Sequence, residues 1–212
     1  MSNIIEQFRK IGIVPVVVLD DAKDAEELAG ALCEGGIPCA EVTFRTAAAE
    51  ESIRIMTEKF PEMLVGAGTV MTKDQVDRAA AAGAKFIVSP GFNPVIVKHA
   101  MDKGLVVTPG CVTPTEITAA LEFGIKTIKF FPAEPMGGLK TIKAITAALT
   151  DVTVMPTGGI SASNVREYLA YDKIVACGGS WMVKKDLIAS GEFDKIREMV
   201  REAADIVKEV RG

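Results

Sequence analysis

The chain has 212 residues, 49% of them apolar and 25% charged, with a formal net charge of −4. That length suits one domain with a substantial core. An acidic balance without any Lys/Arg block excludes a nucleic-acid binder, and no apolar run reaches the length of a membrane span.

The start, Met1-Ser2-Asn3-Ile4-Ile5-Glu6, lacks the basic stretch and apolar core of a signal peptide, so a cytoplasmic location is expected. A leading helix is predicted over 4–10 and a first strand over 12–19. From there one pattern repeats: a short apolar run, a turn, an amphipathic helix. Helical spacing over 24–34 leads to a strand over 39–45, and a helix over 47–60 leads to a strand over 64–69. Thr72-Lys73-Asp74-Gln75 is a capping box ahead of a helix over 75–82. A strand over 86–89 follows, then Asn93-Pro94, an N-cap with a first-turn proline. The fifth strand is predicted over 105–108, and Thr113-Pro114-Thr115-Glu116 is a second capping box. Strands over 127–131, 153–157 and 174–177 complete a set of eight, with a helix beginning near Ser161 and a long final helix over 194–211. Gly35-Gly36, Gly83, Gly104 and Gly124 close helices just before the next strand.

Strands alternating with helices predict parallel βαβ units and an α/β fold. Eight of them fit a (β/α)8 TIM barrel with an extra N-terminal helix, a single domain over 1–212. A doubly wound open sheet would show a Gly-rich turn after its first strand. Here that strand runs into Asp20-Asp21-Ala22.

Barrel chemistry gathers at the C-terminal ends of the strands. The sixth strand carries Lys129 within Thr127-Ile128-Lys129-Phe130-Phe131-Pro132. Faces alternate along a strand, so Thr127, Lys129 and Phe131 share one face. An ammonium there is costly unless it is paired or loses its proton. A lysine that sheds its proton is a nucleophile for carbonyl carbon. The same alternation turns Val42 and Phe44 to the helix layer and Glu41, Thr43 and Arg45 inward. Glu41 and Lys129 then project into one interior. They can neutralise each other as a structural pair, or act together as nucleophile and proton shuttle. An ordinary lysine, with a pKa of about 10.4, is neutral at pH 7 in only about one part in a few thousand. Burial favours the neutral amine and a charged Glu41 opposes it.

Thr157-Gly158-Gly159 and Gly178-Gly179-Ser180 stand at the ends of the seventh and eighth strands. Glycines let backbone N–H groups approach an anion, and loops after those two strands are the usual phosphate site of the barrel fold. The four cysteines, Cys33, Cys39, Cys111 and Cys177, form no CxxC pair and read as reduced thiols. A single histidine, His99, falls on a helix, which disfavours histidine triads and a catalytic metal site. Glu134, in the loop after the lysine strand, reads as solvated, and Tyr168 and Tyr171 as poor acid/base candidates. On residues alone three functions stay open. They are an imine-forming aldolase, a phosphate-binding epimerase or isomerase using Glu41 as base, and a non-catalytic binder of phosphorylated acids.

Six strings occur in order: Glu-Val-Thr-Phe-Arg-Thr, Gly-Ala-Gly-Thr-Val, Ser-Pro-Gly, Thr-Pro-Thr-Glu, Lys-Phe-Phe-Pro-Ala-Glu and Pro-Thr-Gly-Gly-Ile. Over essentially the whole chain this resembles the bacterial 2-keto-3-deoxy-6-phosphogluconate (KDPG) aldolases, which often also cleave 4-hydroxy-2-oxoglutarate. Phe44, where an aliphatic residue is common, and Cys111 depart from the pattern. The resemblance implies a class I aldolase that needs neither metal nor other cofactor. It implies that Lys129 forms the Schiff base with pyruvate and that Glu41 moves protons through a water. Arg45 and Thr69 would hold the pyruvate carboxylate, Pro90 would line the site and Phe131 would pack on the pyruvate moiety. Thr157 would touch the sugar-derived hydroxyls, and Gly158, Gly159 and Ser180 would bind the phosphate. A homotrimer is implied as well.

Overall fold

A computed structural model describes the backbone of residues 2–212 and the side chains of 4–212. Eight parallel strands alternate with helices. In chain order these are α1 Ser2–Ile11, β1 Ile13–Val17, α2 Ala25–Glu34, β2 Cys39–Thr43, α3 Ala49–Lys59, β3 Leu64–Gly68, α4 Lys73–Ala81 and β4 Phe86–Ser89. There follow α5 Pro94–Asp102, β5 Val106–Pro109, α6 Pro114–Glu122, β6 Thr127–Phe130, α7 Gly138–Ala148, β7 Thr153–Pro156, α8 Val165–Leu169, β8 Cys177–Gly179, α9 Lys185–Ala189 and α10 Phe193–Arg211. No described helix is long and apolar enough to cross a membrane.

Continuous ladders join six strands in the order β5-β4-β3-β2-β1-β8, and β6 pairs with β7 separately. The strands curl into a half-barrel. Isolated bridges, Gly110↔Lys129 and Thr157↔Gly178, link the two ladders. Register fixes which side chains share a face, because partners across a parallel ladder point the same way. Val16 pairs with Glu41, Glu41 with Gly66, Val88 with Thr108, Lys129 with Met155, and Gly178 with Val14. One concave face therefore carries Val14, Val16, Glu41, Gly66, Gly68, Phe86, Val88, Thr108, Lys129, Met155 and Thr157. The opposite face, with Val42, Ala67, Ile87, Ile128 and Val154, is buried under the helices. Near the N-terminal ends of the strands, α1 inserts Phe8. Its ring meets Phe86 edge-on at 4.8 Å. Phe86 has room because Gly66, on the next strand, has no side chain.

Local signals account for the helix boundaries. Both predicted capping boxes form, Thr72 with Gln75 and Thr113 with Glu116, and the Asn93 side chain accepts the first free N–H groups of α5. Three boundaries differ from expectation. The eighth strand, predicted over 174–177, lies at Cys177–Gly179. Its apolar run was the stronger signal, yet Ile174 makes only an isolated bridge to Val154, and the ladder to β1 is made by a cysteine and two glycines. The helix expected near Ser161 starts at Val165, because Asn164 accepts the Ser161 N–H and holds 161–164 as a turn. β2 stops at Thr43, so Arg45 lies beyond the strand rather than on it.

Candidate active site

Lys129 and Glu41 meet on the concave face. The lysine Nζ donates to Glu41 Oε1 at 3.1 Å, with side-chain exposures of 5% and 0%. Two separate elements bring them together. β6 is fixed to β5 through the Cys111 N–H, which donates to the Lys129 carbonyl, and to β7 through the full ladder. β2 is fixed to β1 by its ladder and by the Thr43 hydroxyl, which donates to the Val17 carbonyl at 3.0 Å. Gly68 leaves the space in which the Glu41 carboxylate sits: a Cβ there would lie 2.6 Å from Glu41 Cγ and 2.8 Å from Cδ. The second carboxylate oxygen, Oε2, is buried and has no protein partner. A buried acceptor in that state is free to take a hydrogen bond from a ligand.

The other predicted residues lie just beyond the C-terminal ends of the strands. Phe131, half-buried at the end of β6, puts its ring centroid 5.2 Å from Lys129 Nζ. Arg45, in the turn after β2, donates from Nε to Thr69 Oγ1 at 3.3 Å, joining the loops after β2 and β3. Thr69 directly follows Gly68 and holds a φ of 57°, the only positive value among described non-glycine residues. Threonine is strained there, and such strain collects at ligand-binding positions. Pro90 is exposed in the loop after β4, with its carbonyl packed on Gly110, the residue bridged to Lys129.

Thr157 bridges β7 to Gly178 of β8, and its hydroxyl is buried without a protein partner. Gly158 and Gly159 follow with φ values of 97° and 81°. The Gly158 carbonyl accepts from the Glu134 N–H at 3.1 Å and the Gly159 carbonyl from Asn164 Nδ2 at 2.9 Å. Ser180 is exposed just after β8. α8 has five residues and starts at Val165, so its N-terminus adds little positive potential at this loop.

Two features escaped the sequence reading. Glu134 is exposed as expected, but it is tied down rather than solvated: the Tyr168 hydroxyl donates to its Oε1. Its position immediately after the lysine strand was the available signal. Gly68 was the other, legible only as the second of two same-face glycines in Gly66-Ala67-Gly68. Cys111 and Cys177 are buried, and burial pushes both thiols up to about 12, far from a nucleophile's range. Tyr168 is likewise shifted upward, by burial first and by the Glu134 carboxylate second, and stays a donor. His99 bonds Asp77 at 2.7 Å on the helical surface. Among the described residues no group of three or more His, Cys, Asp or Glu is arranged to hold a metal ion.

A model of the family described as KDPG and KHG aldolase matches residues 4–199. A protein of Haemophilus influenzae named 2-dehydro-3-deoxy-phosphogluconate aldolase is 49% identical over 98% of both chains. Among solved structures, the KDPG aldolase of Zymomonas mobilis with 3-phosphoglycerate aligns over 95% of each chain with a TM-score of 0.88 and 36% identity. The KDPG aldolase of Legionella pneumophila, with pyruvate captured as a covalent carbinolamine, aligns over 95% of this chain and 98% of its own, with a TM-score of 0.90 and 34% identity.

Proposed function

The chain belongs to the KDPG and KHG aldolase family, and from that premise we propose that it is a class I aldolase working through Lys129. Its substrate is 2-keto-3-deoxy-6-phosphogluconate and its products are pyruvate and glyceraldehyde 3-phosphate. 4-Hydroxy-2-oxoglutarate, giving pyruvate and glyoxylate, is the second substrate.

The observation that carries this reading is the buried contact between Lys129 Nζ and Glu41 Oε1 on the concave face. An amine held beside one acid can attack the C2 ketone, and the acid relays the proton that leaves the nitrogen. Loss of water gives an iminium, a better electron sink than the ketone. Glu41 then takes the C4 hydroxyl proton, the C3–C4 electron pair flows to the iminium nitrogen, and the aldehyde departs. Protonation of the enamine at C3 and hydrolysis return pyruvate and the free lysine. The Legionella carbinolamine supports the first of these steps.

Arg45 and Thr69 hold the pyruvate carboxylate, Pro90 lines the mouth and Phe131 packs on the pyruvate moiety. Thr157 meets the sugar-derived hydroxyls, with a buried hydroxyl that no protein atom satisfies. Gly158, Gly159 and Ser180 take the phosphate. Among the described residues, neither the Gly158 nor the Gly159 N–H donates to a protein acceptor, which suits an anion there. The same reading takes 1–212 as one domain whose strands close into a (β/α)8 barrel. The bridges at Gly110↔Lys129 and Thr157↔Gly178, and the single inward face that register carries through the strands, support closure. A cytoplasmic homotrimer completes it, and a native mass near three 22.5 kDa chains is expected by light scattering.

Borohydride with pyruvate should add a reduced pyruvyl group at Lys129, found by peptide mass, and Lys129→Ala should abolish turnover. No adduct at Lys129 would remove the assignment, and absence of pyruvate release beside it would favour an epimerase using Glu41 as base.

A further inference from the structure

Glu134 sits between the strand that carries the lysine and the Gly158-Gly159 loop, and it touches both sides. Its N–H donates to the Gly158 carbonyl, and the preceding Ala133 N–H donates to the Thr157 carbonyl at 2.8 Å. Its side chain fills the space beside Gly159: a Cβ there would lie 2.5 Å from Glu134 Cγ and 2.6 Å from Cβ. At φ 81° Gly159 is already in the left-handed region, so the residue is glycine for backbone and space alike. The carboxylate Oε1 accepts from the hydroxyl of Tyr168, whose ring is 2% exposed in α8. Both groups pack against Gly138 at the start of α7, where a Cβ would lie 2.9 Å from the Tyr168 hydroxyl and 3.0 Å from Glu134 Oε1.

One carboxylate and one phenol thus connect the β6 loop, the start of α7, α8 and the loop after β7. The mechanism above gives neither group a task. Neither suits acid/base work either, because the phenol is held protonated and the carboxylate is occupied as its acceptor.

We propose that Glu134 and Tyr168 are positioning residues for the substrate phosphate: a strut that holds the Gly158 and Gly159 N–H groups in place. This rests on the reading of that loop as the phosphate site. Backbone N–H groups bind an anion well only when they are fixed in advance. The loop has few other restraints: one bond from Asn164 to the Gly159 carbonyl and those from the β6 loop. Loosening the strut therefore weakens binding of the phosphorylated end and leaves imine chemistry at Lys129 untouched.

The test compares the KM for KDPG with the rate at which pyruvate and borohydride inactivate the enzyme, since pyruvate carries no phosphate. Glu134→Ala and Tyr168→Phe should each raise the KM for KDPG about tenfold, with inactivation by pyruvate and borohydride within about twofold of wild type. Glu134→Gln should behave as wild type, because its amide oxygen still accepts the tyrosine proton and fills the same space. The strut is refuted if Glu134→Ala raises the KM and slows inactivation by the same factor, if it moves neither, or if Glu134→Gln is as impaired as Glu134→Ala. Glu134 is exposed, so its variants keep the test decisive even where Tyr168→Phe does not fold. Ser180→Ala separates the premise from the inference. If it raises the KM for KDPG while Glu134→Ala does not, the phosphate site stands and the strut falls. If neither does, and inorganic phosphate fails to compete with KDPG, the phosphate site itself is misplaced and the strut falls with it.

Discussion

Gly68→Ala is the sharpest probe of the site, because it displaces the acid without changing the chemistry of either reacting side chain. Gly68 adopts an ordinary strand conformation, so alanine costs no backbone strain. Its Cβ, however, would stand 2.6 Å from Glu41 Cγ and 2.8 Å from Cδ, where ordinary contact begins near 3.4 Å. Glu41 must retreat by about 1 Å in a close-packed interior. That is enough to stretch the 3.1 Å bond to Lys129 beyond hydrogen-bonding range. A shift of about 1 Å in a catalytic group costs about 100-fold, equivalent to about 2.7 kcal/mol of barrier. The assay is pyruvate release from KDPG, coupled to lactate dehydrogenase, on protein whose melting transition confirms folding. Gly66→Ala supplies the contrast on the same strand and face. Its Cβ would stand 2.4 Å from the Phe86 ring, so it should cost about 1–3 kcal/mol of stability and leave activity per folded molecule within about threefold. If Gly68→Ala keeps kcat/KM within about threefold of wild type, Glu41 does not act from the position it occupies, and the reasoning fails.

Two further outcomes follow from the structure. Burial works to raise the Glu116 carboxyl, but the Val112 and Thr113 N–H groups and the Thr113 hydroxyl outweigh it and hold the group below its ordinary range. A depressed carboxylate stabilises the fold above its unfolded pKa, about 4.3, and that contribution is lost as pH falls through the folded value. Glu116→Ala should cost about 1 kcal/mol at pH 7, lowering Tm by about 2–4 °C, and the gap to wild type should shrink at pH 3; an unchanged gap would refute the sign. Burial also pushes the Cys111 and Cys177 thiols up to about 12 and Cys39 higher still. Ellman's reagent at pH 8 should react with them only after denaturation, and rapid labelling of Cys111 in the native protein would count against its burial.

The central pair was legible because strand alternation is a strong constraint. With 39–45 and 127–131 read as parallel strands that curl round one interior, alternation puts Glu41 and Lys129 on the inner face, and in the structure they meet. The strand ends were harder. Apolarity marks where a strand is buried, not where its ladder bonds lie. The eighth strand was therefore placed on Ile174-Val175-Ala176-Cys177, while the ladder falls on residues of low strand propensity, Cys177-Gly178-Gly179. Arg45 reaches Thr69 even though β2 ends two residues earlier than expected, because the turn after Thr43 carries it towards the loop after β3. The role of Glu134 was out of reach. Its partner Tyr168 is 34 residues away in a helix whose start was misplaced, and the pairing depends on Gly159 leaving room, which no local pattern encodes.

The depth of the Lys129–Glu41 pair separates a structural bridge from a working one. Taking an ammonium and a carboxylate out of water costs several kcal/mol per ion, and their attraction repays that only when the remaining polar atoms are also satisfied. Here Glu41 Oε2 has no protein partner, so the pair is a poor investment as scaffolding. The concave face makes room for it at further expense, by placing Gly68 against Glu41 where a larger side chain would have packed. If the pair is kept for chemistry, replacing both partners by apolar side chains of similar size should leave the fold intact. Glu41→Leu combined with Lys129→Met is expected to be at least as stable as wild type, by up to about 1–4 kcal/mol, and wholly inactive. Lys129→Met alone should be destabilised, because it strands a buried carboxylate, by about 3–5 kcal/mol. Urea unfolding of the three variants measures both effects. A double variant less stable than wild type by more than about 2 kcal/mol would mean that the ion pair holds the fold together, and its burial would then carry no argument for a nucleophile.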